Sequence, residues 1–167
     1  MTTREIRSRA AHVVKLAEAS GKTIATVESC TAGALAHLLS EPEGASHTLH
    51  GGFIVYTKEN KTAAVGVPKD LLADHTAVSG EVAKAMAEGG LSRCPADIVV
   101  AITGVAGPEP DEDGNPVGRI YLAAAERNGR TIVEHHEFGN PGKDKICCES
   151  LDAALALLEK ALVAHAP

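Results

Sequence analysis

The chain has 167 residues, 44% of them hydrophobic and 23% charged, with a formal net charge of −6 at pH 7. That size and balance fit one globular domain over residues 1–167 and exclude a disordered chain. The acidity, and an aromatic content of only 2%, argue against a nucleic-acid partner, which needs basic patches and stacking platforms.

No apolar run is long enough to span a bilayer, so no membrane partner is expected. The first residues, Met1-Thr2-Thr3-Arg4-Glu5, lack the apolar core of a signal peptide. Cys30, Cys94, Cys147 and Cys148 form no CxxC pair and no disulfide framework. Reduced thiols in a cytoplasmic protein are the expectation.

Thr2 and Glu5 fit a capping box that opens a helix with Ile6, Ala10, Val13, Val14 and Ala17 on one face. Gly21 ends it. An apolar strand, Thr23 to Val27, then runs into Glu28-Ser29-Cys30-Thr31-Ala32-Gly33, and helical spacing resumes at Ala34, Leu35, Leu38 and Leu39. A strand–turn–helix of this kind presents backbone N–H groups and a helix N-terminus at the carboxyl end of a strand. It can also expose Ser29 as a nucleophile. The plainer alternative is that Ser29 or Thr31 caps the helix.

Pro42 to His47 reads as a loop, and Leu49 to Tyr56 as a second strand with a β-branched and aromatic centre. Thr57 is a cap for a short helix carrying Asn60, Lys61 and Ala64, which Gly66-Val67-Pro68 ends. Pro68 opens another short helix, and Ser79 caps a longer one with Glu81 in its first turn. Ala96 to Thr103 lacks polar alternation, as expected of a strand covered on both faces. It leads into Thr103-Gly104-Val105-Ala106-Gly107-Pro108. Pro108 to Pro116 is acidic, rich in turn formers, and reads as a mobile loop. Gly118 to Ala125 and Thr131 to Phe138 read as a hairpin around Asn128-Gly129, a pair suited to a type I′ turn. A final helix carries Ile146, Leu151, Ala154, Leu155, Leu158 and Leu162.

The pattern predicts an α/β fold: a three-layer α/β/α sandwich with a mixed, mostly parallel sheet and a C-terminal hairpin plus helix. In such sheets ligands bind beyond the carboxyl ends of the strands. Ser29 to Gly33, Tyr56 to Lys61 and Thr103 to Pro108 all fall at such ends, which raises Ser29 above a simple cap. A serine nucleophile needs a base. None of the 8 His sits in a motif that places it; His135 and His136 are neighbours on a strand and face opposite sides. Lys61 is the other candidate, since Ser–Lys pairs are an established arrangement. Cys30 is a rival nucleophile. The glycines of Thr103 to Gly107 allow close approach of a ligand to the backbone, without Walker A or dinucleotide spacing. Asp111-Glu112-Asp113-Gly114-Asn115 is not a calcium loop, because Pro116 stands where that loop needs Gly. No zinc pattern is present in the sequence.

Glu28 to Gly33, Tyr56-Thr57 with Lys61, Gly66-Val67-Pro68, Ala77-Val78-Ser79, Thr103 to Pro108 and Pro116-Val117-Gly118 occur in that order. As an ordered set over nearly the whole chain they resemble the CinA C-terminal domain family, the nicotinamide-nucleotide amidohydrolases, in stand-alone form. The resemblance implies hydrolysis of the carboxamide of nicotinamide mononucleotide to nicotinate mononucleotide and ammonia, without metal or organic cofactor, by a homo-oligomer. Carried over, Ser29 is the nucleophile, Lys61 its base, and Tyr56 a hydrogen-bonding assistant. Backbone N–H groups of Cys30, Thr31, Ala32 and Gly33 hold the oxyanion, and Thr103, Gly104, Val105, Ala106 and Gly107 hold part of the nucleotide. Two departures stand out: Ala32 where the family often has Gly, and Cys147 where it usually has Arg.

Overall fold

A computed structural model describes residues 3–163. Thr2, the expected cap of the first helix, lies outside the described residues. The elements are α1 (Thr3–Ser20), β1 (Ile24–Glu28), α2 (Ala34–Ser40), α3 (Ala45–Thr48), β2 (Leu49–Ile54), α4 (Lys58–Val65), α5 (Lys69–His75), α6 (Gly80–Arg93), β3 (Ile98–Gly104), β4 (Arg119–Glu126), β5 (Thr131–Glu137) and α7 (Lys143–Val163). One sheet has the strand order β2-β1-β3-β4-β5. Strand β1 pairs in parallel with β2 and β3, whereas β4 runs against β3 and β5 against β4. Four strands therefore point the same way and β4 alone opposes them.

Period-two alternation along the strands builds the two faces. Ile24, Ile98, Val100, Ile102, Ile120 and Leu122 pack on α1, α2 and α7. Ala25, Val27, Val99, Ala101 and Ala123 pack on α4, α5 and α6. The three layers follow, and strand β3 is buried from Ile98 through Thr103 because both its faces are covered. Among the described residues no helix is long and apolar enough to cross a membrane.

Several local expectations need correction. Residues 45–48 are not loop but a single helical turn. Gly44, at φ 90, lets the chain turn back into it, and Ala45 and Thr48 are buried against the body of the domain. The β4–β5 turn is not type I′, which requires positive φ at both central residues. Asn128 alone has it, at 60, and the Gly129 N–H donates to the Glu126 carbonyl at 3.1 Å. The acidic segment 108–116 is an organised loop. Asp111 Oδ1 accepts the N–H groups of Asp113 and Asn115, and Lys58 on α4 pairs with Glu112 and Asp113, both at 2.8 Å.

Helix α4 is set against α6 at very close range. A Cβ added at Gly89 would strike the Val65 carbonyl at the end of α4. Gly89→Ala therefore opposes two effects. Helix propensity favours Ala by about 1 kcal/mol, and overpacking against backbone costs about 1–3 kcal/mol. Because the obstacle is a backbone carbonyl, overpacking wins. We expect Gly89→Ala to lower the free energy of unfolding by about 1–2 kcal/mol in urea titration; a more stable variant would show that α4 is free to move.

Candidate active site

The turn after β1 is held by one carboxylate. Glu28 is the last residue of β1 and fully buried. Alternation points it to the α2 side, on the same face as Ile24 and Thr26. Its Oε2 accepts from the Thr31 hydroxyl (2.7 Å) and from the N–H groups of Gly33 and Leu35 (both 3.0 Å). Its Oε1 accepts from the Ala36 N–H (2.8 Å) and the Thr26 hydroxyl (3.1 Å). Glu28 thus caps α2 from outside the usual cap position. Gly33 occupies that position with φ 97 and no side chain, and Ala32 precedes it at φ 51. Neither Ser29 nor Thr31 caps α2 with its hydroxyl.

Ser29, one residue on, faces the opposite layer. There α4 supplies Lys61. The Thr57 hydroxyl accepts the Asn60 N–H and starts the helix, and Gly66 at φ 71 ends it. Lys61 is 2% exposed. Its Nζ donates to Ser29 Oγ at 3.0 Å and to the Val55 carbonyl at 3.0 Å. Burial pulls the Lys61 ammonium down to about 8, helped by the positive charge of Lys58, although Cys30 acts in the opposite direction. No described histidine lines the cleft around this pair.

The cleft has two lobes, of about 450 and 210 Å³. Ser29, Tyr56, Gly104 and Asp111 line both and so mark their junction. Thr103 belongs to the larger lobe, and its hydroxyl donates to the Ala77 carbonyl at 2.7 Å. Cys30, Val105, Ala106 and Gly107 line the smaller one, with Lys143 and Glu109. A Cβ at Gly104 would strike Ile120 and the Arg119 carbonyl, so only glycine fits where the loop leaves the sheet.

Thr31, Ala32 and Gly33 line neither lobe. The Gly33 N–H is bonded to Glu28 and the Ala32 N–H to the Ser29 carbonyl at 3.0 Å. The N–H groups of Cys30 and Thr31 have no acceptor among the described residues. Tyr56 is 63% exposed and makes no hydrogen bond to Ser29 or Lys61. Burial, with the Cys147 thiol nearby, pushes the Cys30 thiol up to about 12, which leaves it un-ionised and weakly nucleophilic at neutral pH. Cys147 packs behind the turn, its Sγ 3.9 Å from the Cys30 carbonyl oxygen, and lines neither lobe. Among the described residues no group of His, Cys, Asp or Glu is placed to hold a metal ion.

Sequence reasoning missed what Glu28, the Val55 carbonyl and Asp111 do. The signal for Glu28 was available: a carboxylate ending a strand that is otherwise apolar must find donors inside the protein.

A serine in the turn after β1 and a buried lysine bonded to it, beyond the carboxyl ends of parallel strands, define a class of α/β protein with a serine–lysine pair. The CinA C-terminal domain model matches residues 6–162, and the chain belongs to that family. It is 41% identical over 143 residues to a CinA-like protein of Mycobacterium sp. (strain JLS), covering 86% of this chain and 34% of that one. To a CinA-like protein of Geobacter sulfurreducens it is 37% identical over 151 residues, covering 90% and 36%. The chain thus spans about a third of the length of these curated relatives. Among solved structures, the competence/damage inducible protein CihA from Agrobacterium tumefaciens superposes with a TM-score of 0.91 at 34% identity, covering 97% of this chain and 98% of that one. A CinA superfamily protein from Escherichia coli does so at 0.89 and 30%, covering 96% and 93%.

Two stability measurements test this geometry. Glu28→Ala leaves three backbone N–H groups and two hydroxyls without their acceptor. At about 1–3 kcal/mol per buried unsatisfied group, not fully additive, we expect a loss of about 3 kcal/mol or more in denaturant unfolding; a loss under 1 kcal/mol would mean that the turn holds itself.

For Lys61 the sign follows from linkage. Between about pH 8 and the ordinary lysine value of 10.5, the unfolded chain carries a proton that the folded protein lacks. Stability therefore rises with pH across that window, by about 3 kcal/mol in all, and the cost of the buried ammonium is fully present below it. Lys61→Met removes both slope and cost but strands the Val55 carbonyl. It should gain about 2 kcal/mol at pH 7 and flatten the profile above pH 8; an unchanged slope would place the titration elsewhere.

Proposed function

We propose that this domain is an amidohydrolase acting on the carboxamide of a pyridine nucleotide, with nicotinamide mononucleotide as substrate and nicotinate mononucleotide and ammonia as products. The observation that carries the reading is the 3.0 Å contact between Ser29 Oγ and a lysine 2% exposed whose ammonium is pulled down to about 8. A lysine in that state is partly neutral near physiological pH, and a neutral amine accepts a proton.

In the proposed reaction the neutral Lys61 Nζ takes the Ser29 hydroxyl proton as Oγ attacks the carboxamide carbon. The carbonyl oxygen becomes an oxyanion, for which the N–H groups of Cys30 and Thr31 are the free donors. Lys61 returns the proton to the amide nitrogen, the C–N bond breaks, and ammonia leaves an ester on Ser29. Water then attacks the ester carbon, Lys61 taking its proton and returning it to Ser29 Oγ, which frees the carboxylic acid. The Val55 carbonyl holds Nζ in place through these transfers. The Ala106 and Gly107 N–H groups and Lys143 offer donors and a cation for the nucleotide's phosphate in the smaller lobe, the Val105 N–H being taken by the Arg119 carbonyl. Cys147 does not take that part, because it lies behind the turn.

Ammonia release from nicotinamide mononucleotide by the purified chain is the direct test, with kcat/KM rising with pH through an ionisation near 8 and levelling above it. Ser29→Ala should lose about 10³-fold or more with the fold intact. Cys30→Ala should keep most of the activity. Lys61→Arg, which stays charged, should lose about 10²-fold or more. Near-normal turnover in Lys61→Arg would make Lys61 a fixed charge, and an inactive Cys30→Ala beside an active Ser29→Ala would make the enzyme a thiol hydrolase.

A further inference from the structure

Lys61 is not the first cation on its helix. Lys58 opens α4 three residues earlier, and residues at that spacing are neighbours on one helix face. Both line the larger lobe. We propose that Lys58 is a positioning residue that acts through Lys61: with Glu112 and Asp113 it forms a charged triad that joins loop 108–116 to α4 and tunes how readily Lys61 holds a proton. The inference rests on the amidohydrolase reading only for what Lys61 then does with that proton.

Geometry is the first support. Lys58 Nζ meets Glu112 Oε1 and Asp113 Oδ2, each at 2.8 Å. These contacts join two walls of the lobe, one made by Asp111, Glu112 and Asp113 of the loop, the other by Lys58 and Lys61 of α4. The loop is also held away from the triad. The Asn115 amide donates to the Thr76 hydroxyl at 3.2 Å and to Asp111 Oδ2 at 2.8 Å, and Asp111 Oδ1 accepts the N–H groups of Asp113 and Asn115. It is therefore organised by bonds that do not involve Lys58, and a change of charge in the triad leaves those bonds in place.

Charge is the second support. Asp113 and Glu112 hold the Lys58 ammonium above the ordinary lysine value, so it is positive throughout the range in which Lys61 titrates. Burial is the main reason that Lys61 lies near 8; Cys30, in the turn after β1, acts against it, and Lys58 acts with it. No carboxylate is bonded to Lys61 Nζ, whose partners are Ser29 Oγ and the Val55 carbonyl. The other charged groups around α4 are turned elsewhere. Glu59 is exposed, Lys69 of α5 lines a separate groove with Glu59 and Thr62, and Arg93 of α6 packs on Gly66 past the end of the helix. Asp111 turns its oxygens to the loop's own donors. Lys58 is thus the cation that bears on Lys61, and Glu112 and Asp113 offset it. Removing Lys58 leaves two bare carboxylates beside α4 and favours a charged Lys61. Removing both carboxylates leaves a bare cation and disfavours it. The two changes act with opposite sign, whereas a loosened loop, common to both, would act in one direction.

The test is a titration of Lys61 in the full chain by lysine-selective carbon NMR at low ionic strength, where exposed charges are least screened. The Lys61 Cε signal is the one absent from Lys61→Met, and in the unsubstituted chain it should titrate near 8. Lys58→Gln should raise that midpoint by about half a pH unit or more, and Glu112→Gln combined with Asp113→Asn should lower it by a similar amount. Lys58→Arg keeps the charge and should leave the midpoint within about 0.2 of the unsubstituted value. Shifts of the same sign in the two charge-changing chains, a midpoint that fails to move in either, or a Lys58→Arg chain displaced as far as Lys58→Gln would overturn the inference. The pH midpoint of kcat/KM for ammonia release from nicotinamide mononucleotide should follow the NMR midpoint in each variant. The NMR readout needs no turnover. Opposite shifts in chains that release no ammonia sink the amidohydrolase reading alone, and ammonia release with unmoved midpoints sinks the triad alone.

Discussion

The geometry of the cleft depends on one buried carboxylate. Glu28 ends β1 on the side of the sheet that α2 covers, and five donors converge on its two oxygens. Three of them are N–H groups from the turn and the first turn of α2, which would otherwise be orphaned. This carboxylate fixes where α2 begins, and with it the two left-handed residues Ala32 and Gly33. The left-handed conformation costs a non-glycine residue about 1–2 kcal/mol, and it persists at Ala32 because the bonds on either side of it are already determined. The position of Ser29 follows from the same constraint: its N–H is tied to the Ile102 carbonyl, and the chain after it to Glu28.

Alternation along a strand then separates two jobs that need opposite surroundings. Glu28 sits among five donors on one face. Lys61, on the other, is pulled below its usual value by burial, with a single carbonyl and a single hydroxyl as partners. A carboxylate bonded to Lys61 Nζ would raise the lysine and keep it protonated. The period of two in a strand is the shortest way for a chain to put a structural anion and a titratable amine within a few residues of one hydroxyl without letting them neutralise each other.

This also explains which parts of the molecule were legible in the sequence. The alternating helices and strands, the hairpin, the caps at Thr57 and Ser79 and the stop at Gly66 are local events, written within a few residues of where they act, and the structure has them there. The approach of Lys61 to Ser29 could be put forward only because both follow strands that were already placed in one sheet. What escaped was set by tertiary contact. Glu28 caps a helix from five residues before its cap position, outside the pattern by which caps are recognised. The helical turn at 45–48 is held by burial of Ala45 and Thr48 more than by its own propensity. The loop 108–116 has the composition of a mobile segment, yet Asp111 knits it internally and Lys58, from a distant helix, ties it down.

The carboxylate at α2 has a consequence for anions. A helix N-terminus beyond a parallel strand is ordinarily a place where a protein binds a ligand's negative charge. Here the protein has put its own negative charge there, and the N–H groups of Gly33, Leu35 and Ala36 are not available to a substrate. Only the N–H groups of Cys30 and Thr31 remain beside Ser29, two donors suited to one oxygen and not to a phosphate. A phosphate group would have to be met elsewhere, and the described residues offer it the Ala106 and Gly107 N–H groups and Lys143 in the smaller lobe. In the proposed reaction the turn after β1 therefore meets only a small, transient oxyanion, and the nucleotide's phosphate lies toward the opposite wall. In that reading, division of the two anions between two strand ends follows from which N–H groups Glu28 has already taken.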